Sequence, residues 1–191
     1  MLRRLLRALT ILMIVVGALV IFDYAELLVP VNSKAVVDMD PTIAACTGRA
    51  IAEGFTYRIR DPEQGEVVAV HAAETPTGDI VPDKDATDLV LLLRVAAGPG
   101  DVIVGRDGTV FVNDIKLDDI TTKPFPRSKV PSEQYFLLGY NRSAAIDSRT
   151  FGPVLGNAIF ARVLVTYWPL RNLSFRLKPE LGKPPGPARC G

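Results

Sequence analysis

Arg3, Arg4 and Arg7 stand directly before an uncharged run, ALTILMIVVGALVIF, over residues 8–22. Counted from Leu5, and tolerating Arg7, this run reaches about the 17 to 20 residues that cross a bilayer core. Arginines ahead of such a run favour a cytoplasmic N-terminus, with everything beyond it outside. The rival reading is a removable export signal, which needs small residues at −3 and −1 of the cut. A cut after Ala25 would put Asp23 at −3. The sequence therefore predicts a basic cytoplasmic stretch over 1–7 and an uncleaved transmembrane anchor over 8–26. The expected location is the cytoplasmic membrane, crossed once, with the domain on the extracytoplasmic side.

A chain of 191 residues has room for one domain behind that anchor. Its net charge of +1 offers no basic footprint for nucleic acid. His71 is the single histidine, and no histidine or cysteine spacing fits a metal site. A histidine-based triad would have to rest on His71 alone. Cys46 and Cys190 would meet oxidising conditions in an exported domain. The spacing is compatible with a disulfide that ties the tail back, and equally with a buried Cys46 and a free tail thiol.

From residue 27 to about 175 the pattern is short apolar runs broken by turn residues, which predicts a mainly β domain. Leu27–Val31 reads as an apolar run-in. Strands are expected at 65–71, at 89–95 (buried on both faces), at 134–138 and at 158–165. Asp107-Gly108 between 101–104 and 109–112 is a strong hairpin signal. Asn113-Asp114 ahead of Ile115 and Leu117 suggests another turn. Ile43, Ala44, Ala45, Ile51 and Ala52 suggest a short helix within 41–54. The Pro- and Gly-rich tail, 176–191, has little to bury.

Three segments stand out by order and spacing. Val37-Asp38-Met39-Asp40-Pro41-Thr42-Ile43 resembles the S-M-x-P-T-L segment of the bacterial type I signal peptidases, with Asp38 in the serine position. Leu93-Arg94-Val95-Ala96-Ala97-Gly98-Pro99-Gly100-Asp101 resembles their K-R-x-x-G-x-P-G-D, with Leu93 in the lysine position. Residues 139–152, GYNRSAAIDSRTFG, resemble G-D-N-R-x-x-S-x-D-S-R-x-x-G, with Tyr140 for Asp and Ala145 for Ser. The third is the most specific.

The resemblance implies a signal-peptidase-like β-rich domain behind one N-terminal transmembrane helix, with no cofactor. In active members a serine attacks the peptide carbonyl and a neutral lysine takes its proton. A serine hydroxyl needs such a base, and burial keeps a lysine neutral by penalising its charge. Here Asp38 has no hydroxyl, Leu93 has no titratable atom, and Ala145 lacks the hydroxyl that would orient the amine. These departures cluster on the chemistry. Met39, Pro41, Thr42, Arg94, Asn141, Arg142, Asp147 and Arg149 keep the motif, and read as groove, turn and ion-pair residues. Asp101 after Pro99-Gly100 reads as a turn residue. Asp38 and Asp40 point the same way in an extended chain, but an aspartic-protease pair needs carboxylates in near contact. Ser33, Ser128, Ser132, Ser143 and Ser148 all lie outside the nucleophile position, and none has a plausible base beside it in sequence; Lys34 and Lys84, the lysines nearest the first and second segments, sit in no apolar context that would lower a pKa.

The favoured expectation is a non-catalytic family member that binds an exported or membrane-bound precursor, or an assembly factor, at the lipid surface. An active signal peptidase with a variant mechanism is the alternative. A merely structural anchored domain is the third.

Overall fold

The computed structural model describes residues 2–25, 49–86 and 89–168. Its first element is the helix α1, Leu2–Ala25. Leu5, Leu6, Leu9, Ile11, Ile14 and Val15 are all exposed, and at 3.6 residues per turn they circle the helix. Among the described residues no helix is long and apolar enough to cross a membrane. Arg3, Arg4 and Arg7 occupy the first turns of α1.

Beyond α1 the regular structure of the described chain is mainly strand. In order these are β1 Arg49–Glu53, β2 Val67–Glu74, β3 Ile80–Pro82, β4 Leu89–Ala97, β5 Val102–Arg106 and β6 Thr109–Val112. There follow β7 Ile115–Lys116, β8 Phe125–Lys129, β9 Gln134–Leu138, β10 Val154–Leu155 and β11 Ile159–Trp168. One short helix, α2, Ser148–Phe151, lies between β9 and β10. The larger sheet runs β1-β11-β2-β4-β9-β10, with β3 added beside β2, and the smaller runs β7-β6-β5-β8. The pairings are antiparallel. The protein is thus mainly β with an N-terminal helix.

Strand β4 is central and explains the two-sided core. Successive side chains in a strand point to opposite faces. Leu91, Leu93 and Val95 join one cluster with Val68, Val70, Tyr135, Leu137 and Ile159. Leu92 joins the opposite cluster with Val67, Ala69, Tyr140, Ala161 and Val163. A third cluster, built on Ala96, Ala97, Ile103, Val110, Phe136 and Leu138, lies where the two sheets meet. There the smaller sheet closes tightly, because a Cβ on Gly105 would lie 2.4 Å from the Phe125 ring.

The turns follow their residues. Asp107 and Gly108 both have positive φ, 51° and 74°, as a tight hairpin between right-twisted strands requires. Asn113 and Asp114 do the same ahead of β7. One expectation is corrected. Residues 49–53 are not helical but form β1, where pairing with β11 outweighs the helix preference of the alanines. The rest of that expected helix, 41–48, lies outside the described residues. So do the run-in at 27–31, both cysteines and the tail.

Candidate functional site

The lysine position is closed. Leu93 sits opposite Val68 in the β2–β4 ladder and has 0% exposure. Its cluster consists of apolar side chains, with Tyr135 and the half-buried Tyr57 packed against them carrying polar tips. None of these cluster members can take up a proton near neutral pH.

On the opposite face of β4, Arg94 is also buried, at 7% exposure. Its guanidinium carbon lies 5.7 Å from the Tyr140 ring centroid, within the range of a cation–π contact. Burial pulls its pKa down to about 10. Arg94 Nη2 has no hydrogen-bond partner among the described residues, and the same holds for Tyr140 Oη and Arg142 Nη1. Burial raises the Tyr140 pKa.

Beyond β4 the chain turns into the smaller sheet through Gly98-Pro99-Gly100-Asp101. Gly100 has φ +85°. The Gly98 amide donates to Asp101 Oδ2 at 2.8 Å, and Asn113 Nδ2 donates to Asp101 Oδ1 at 2.7 Å. Asp101 is therefore the post between β4 and the β5–β6 hairpin.

Motif three folds around Asp147, which has 0% exposure. Its carboxylate accepts from the Gly139 amide at 2.9 Å, and from Arg149 Nε and Nη2 at 2.7 and 2.8 Å. It also caps α2 by accepting from the Arg149 amide. Ser148 Oγ accepts from the Leu137 amide at 2.9 Å, which pins α2 to β9. Arg149 Nη1 donates to the Arg142 carbonyl and to Thr122 Oγ1. Arg142 donates to the Gly139 carbonyl at 2.8 Å and pairs with Asp118 at 2.6 Å. The Asn141 carbonyl accepts from the Ala144 and Ala145 amides, and its Oδ1 accepts from Ser143 Oγ. Ala145 is half-buried at the end of this turn.

Segments two and three thus meet, with Arg94 against Tyr140 and Arg142. Asp38, Met39, Pro41 and Thr42 lie outside the described residues, and so do Ser33 and Lys34. Ser128, Ser132, Ser143 and Ser148 are not hydrogen-bonded to a lysine among the described residues. Among the described residues no group of histidine, cysteine, aspartate or glutamate could hold a metal ion. Sequence reasoning missed Asp118 and Thr122, which strap the 117–124 connection across the motif. They are 24 and 27 residues from their arginine partners, and no local signal marks so distant a pairing.

A family model described as "Signal peptidase, peptidase S26" matches residues 2–168, which span α1, both sheets and all three segments. The chain belongs to the signal peptidase family. Within it, the chain is similar to a probable signal peptidase I-2 of Synechocystis sp., with 36% identity over 137 residues. That match covers 69% of this chain and 60% of the relative. It is similar to thylakoidal processing peptidase 1 of Arabidopsis thaliana at 33% identity over 132 residues, covering 66% of this chain and 38% of the relative. Signal peptidase IB of Staphylococcus aureus is 27% identical over 194 residues, covering 89% of this chain and 94% of the relative. A crystal structure of a signal peptidase I from Enterococcus faecalis V583 covers 53% of this chain and 95% of its own at 25% identity, with a TM-score of 0.39.

Proposed function

We propose that this signal peptidase family member binds exported or membrane-bound precursor proteins at the outer face of the cytoplasmic membrane without cleaving them by serine–lysine chemistry. The observation that carries this is the closure of Leu93 in an apolar core, at the position where the motif has its base. A leucine side chain has no lone pair with which to accept a proton. Asp38 in the serine position and Ala145 in the position of the orienting serine agree with that reading.

In this reading α1 is the anchor. Its 24 residues extend about 36 Å at 1.5 Å per residue, against about 30 Å of hydrocarbon. A helix that is apolar all round belongs in a protein core or in lipid. The arginines at its start would stay among the headgroups and hold the N-terminus in the cytoplasm.

The names of the relatives favour a second reading, an active signal peptidase with a substituted mechanism. A cleavage assay in detergent micelles with a secretory precursor separates the two. The native chain is compared with the triple variant Asp38→Ser, Leu93→Lys, Ala145→Ser. The proposal expects an inert native chain and processing by the triple variant. Cleavage by the native chain refutes it and sends the search to another nucleophile.

A further inference from the structure

Glu66, at 2% exposure, is a buried carboxylate that the three segments do not include. It ends the connection between β1 and β2, and four groups converge on it. Arg60 donates to both its oxygens through Nη1 and Nη2, and Arg162 Nε, from β11, lies 3.1 Å from Oε1. Tyr57 Oη donates to Oε2 at 3.1 Å, and the Glu63 amide does so at 3.0 Å. The Glu66 backbone is itself fixed to β4, where the Val95 amide donates to its carbonyl at 2.9 Å. The carboxylate is thus a post on the sheet to which the preceding loop is tied.

What it ties down is the sheet edge. Strand β1 ends the larger sheet among the described residues, and its register on β11 is broken twice. The chain leaving β1 makes a 3-10 turn, Thr56–Arg58, with Phe55 and Ile59 exposed on it. Its backbone bonds are short-range, from Arg58 to Phe55 and from Ile59 and Arg60 to Thr56. Tyr57 turns inward and packs beside Val68 and Leu93. Glu53, at the end of β1, stands opposite Arg162 in the ladder and accepts from the Thr56 amide at 2.9 Å. Edge strand, turn and buried carboxylate therefore form one connected unit, of the kind that opens locally ahead of a core.

We propose that Glu66 is a proton-released latch: charged, it holds β1 and the 54–66 connection against β11, and protonated, it lets them open together while the rest of the sheet stays closed. A carboxylate accepts on both oxygens, whereas the acid gives up part of that capacity. Both guanidinium groups lose their shared counter-charge in the same step. The other ionisable groups facing the latch are Glu63, 3.5 Å from Arg60, and Glu53, across the ladder from Arg162. Burial by itself raises the Glu66 pKa, but the bonds from Arg60 and the Glu63 amide and the charge of Arg162 outweigh it and hold it below the ordinary carboxylate value. The hold is therefore complete above the unfolded value of about 4.3 and is lost as pH falls through the lower, folded one. The first segment, 37–43, leads into β1 along the chain, so the latch governs the strand to which that segment is tethered. It does so whether or not the protein cleaves anything.

The test is hydrogen–deuterium exchange of the full chain in detergent micelles, read by mass spectrometry. Peptides from 49–66 are compared with peptides from the β2–β4 ladder at about pH 6.5 and about pH 3, each corrected for intrinsic exchange. Native protection over 49–66 should fall by about 100-fold at the lower pH, with the ladder still closed. Glu66→Gln keeps the shape and removes the charge, so it should be open at the higher pH already and change little on acidification. Glu53→Gln leaves the latch in place, so its acid opening should persist. Native protection over 49–66 that ignores pH, or that falls only in step with the ladder, overturns the proposal. Loss of the acid opening in Glu53→Gln does the same, since it moves the titration to Glu53. A Glu66→Gln chain as protected as the native one is equally fatal. Should that variant not fold, Arg60→Met decides in its place, because it removes two bonds to Glu66 from a half-buried position. Native-like protection over 49–66 in Arg60→Met then overturns the proposal, and opening there with a closed ladder upholds it.

Discussion

Leu93→Lys is the substitution that asks most of this structure. Position 93 has 0% exposure and faces an apolar cluster, so a lysine there leaves water for hydrocarbon. Full burial lowers a lysine pKa by about 3 units or more, from about 10.4 to about 7.4. The folded value then lies below the unfolded one, so between them the unfolded chain binds more protons and stability rises with pH. At pH 7 the charge alone should cost about 4 kcal/mol, and at pH 10.5 less than about 0.5 kcal/mol. Leu93→Met is the control of similar size, and urea unfolding of both variants in micelles at the two pH values isolates the charge. The gap between the two variants should shrink by about 3.5 kcal/mol on going to high pH. An equal gap at both pH values would show that the lysine reaches water. The closed position argued from the core, and with it the reason this fold could ever keep a lysine neutral, would then be wrong.

Three further outcomes follow from the same geometry. Asp147→Asn should destabilise the domain by about 3–5 kcal/mol in urea unfolding, since it leaves Arg149 half-buried without its anion; a loss below about 1 kcal/mol would contradict the network. Gly105→Ala should lower stability by about 1–3 kcal/mol, because its Cβ meets the Phe125 ring, and Phe125→Leu in the same chain should recover part of that loss. His71 stacks on Phe160 at 4.0 Å, with Nδ1 buried and unpartnered among the described residues. Burial lowers its pKa, so the unfolded chain protonates first and stability should fall as pH drops through about 6.5. His71→Phe should flatten the Tm profile between pH 7.5 and 5.5, and an unchanged slope there would refute this assignment.

Much of the fold was legible because its signals are local. The Asp107-Gly108 and Asn113-Asp114 turns announce themselves by residues that tolerate positive φ. Strand β9 falls on the predicted 134–138, and β4 extends two residues past its predicted end. Strand β1 was not legible, since Ile51 and Ala52 beside an alanine-rich stretch suit a helix until β11 is there to pair with them. Strand β8 was missed because Pro126 lies inside it, and a proline is tolerated there because β8 is the edge of the smaller sheet. For the site, the motif supplied Arg142, Asp147 and Arg149, and the structure adds what each one holds. The partners Asp118 and Thr122, and the packing of Arg94 on the Tyr140 ring, depend on contacts that chain order does not encode.

The alternation along β4 has a consequence for how such a protein can drift. Neighbours in the chain, Leu93 and Arg94 answer to different surroundings: one to a dry interior shared with β2 and β9, the other to the polar ground under the strap. A lineage relieved of the need for a reactive amine can let that position relax into the nearest hydrocarbon without disturbing the arginine beside it. Function can fade from one side of a single strand while the other side keeps the record of where it was.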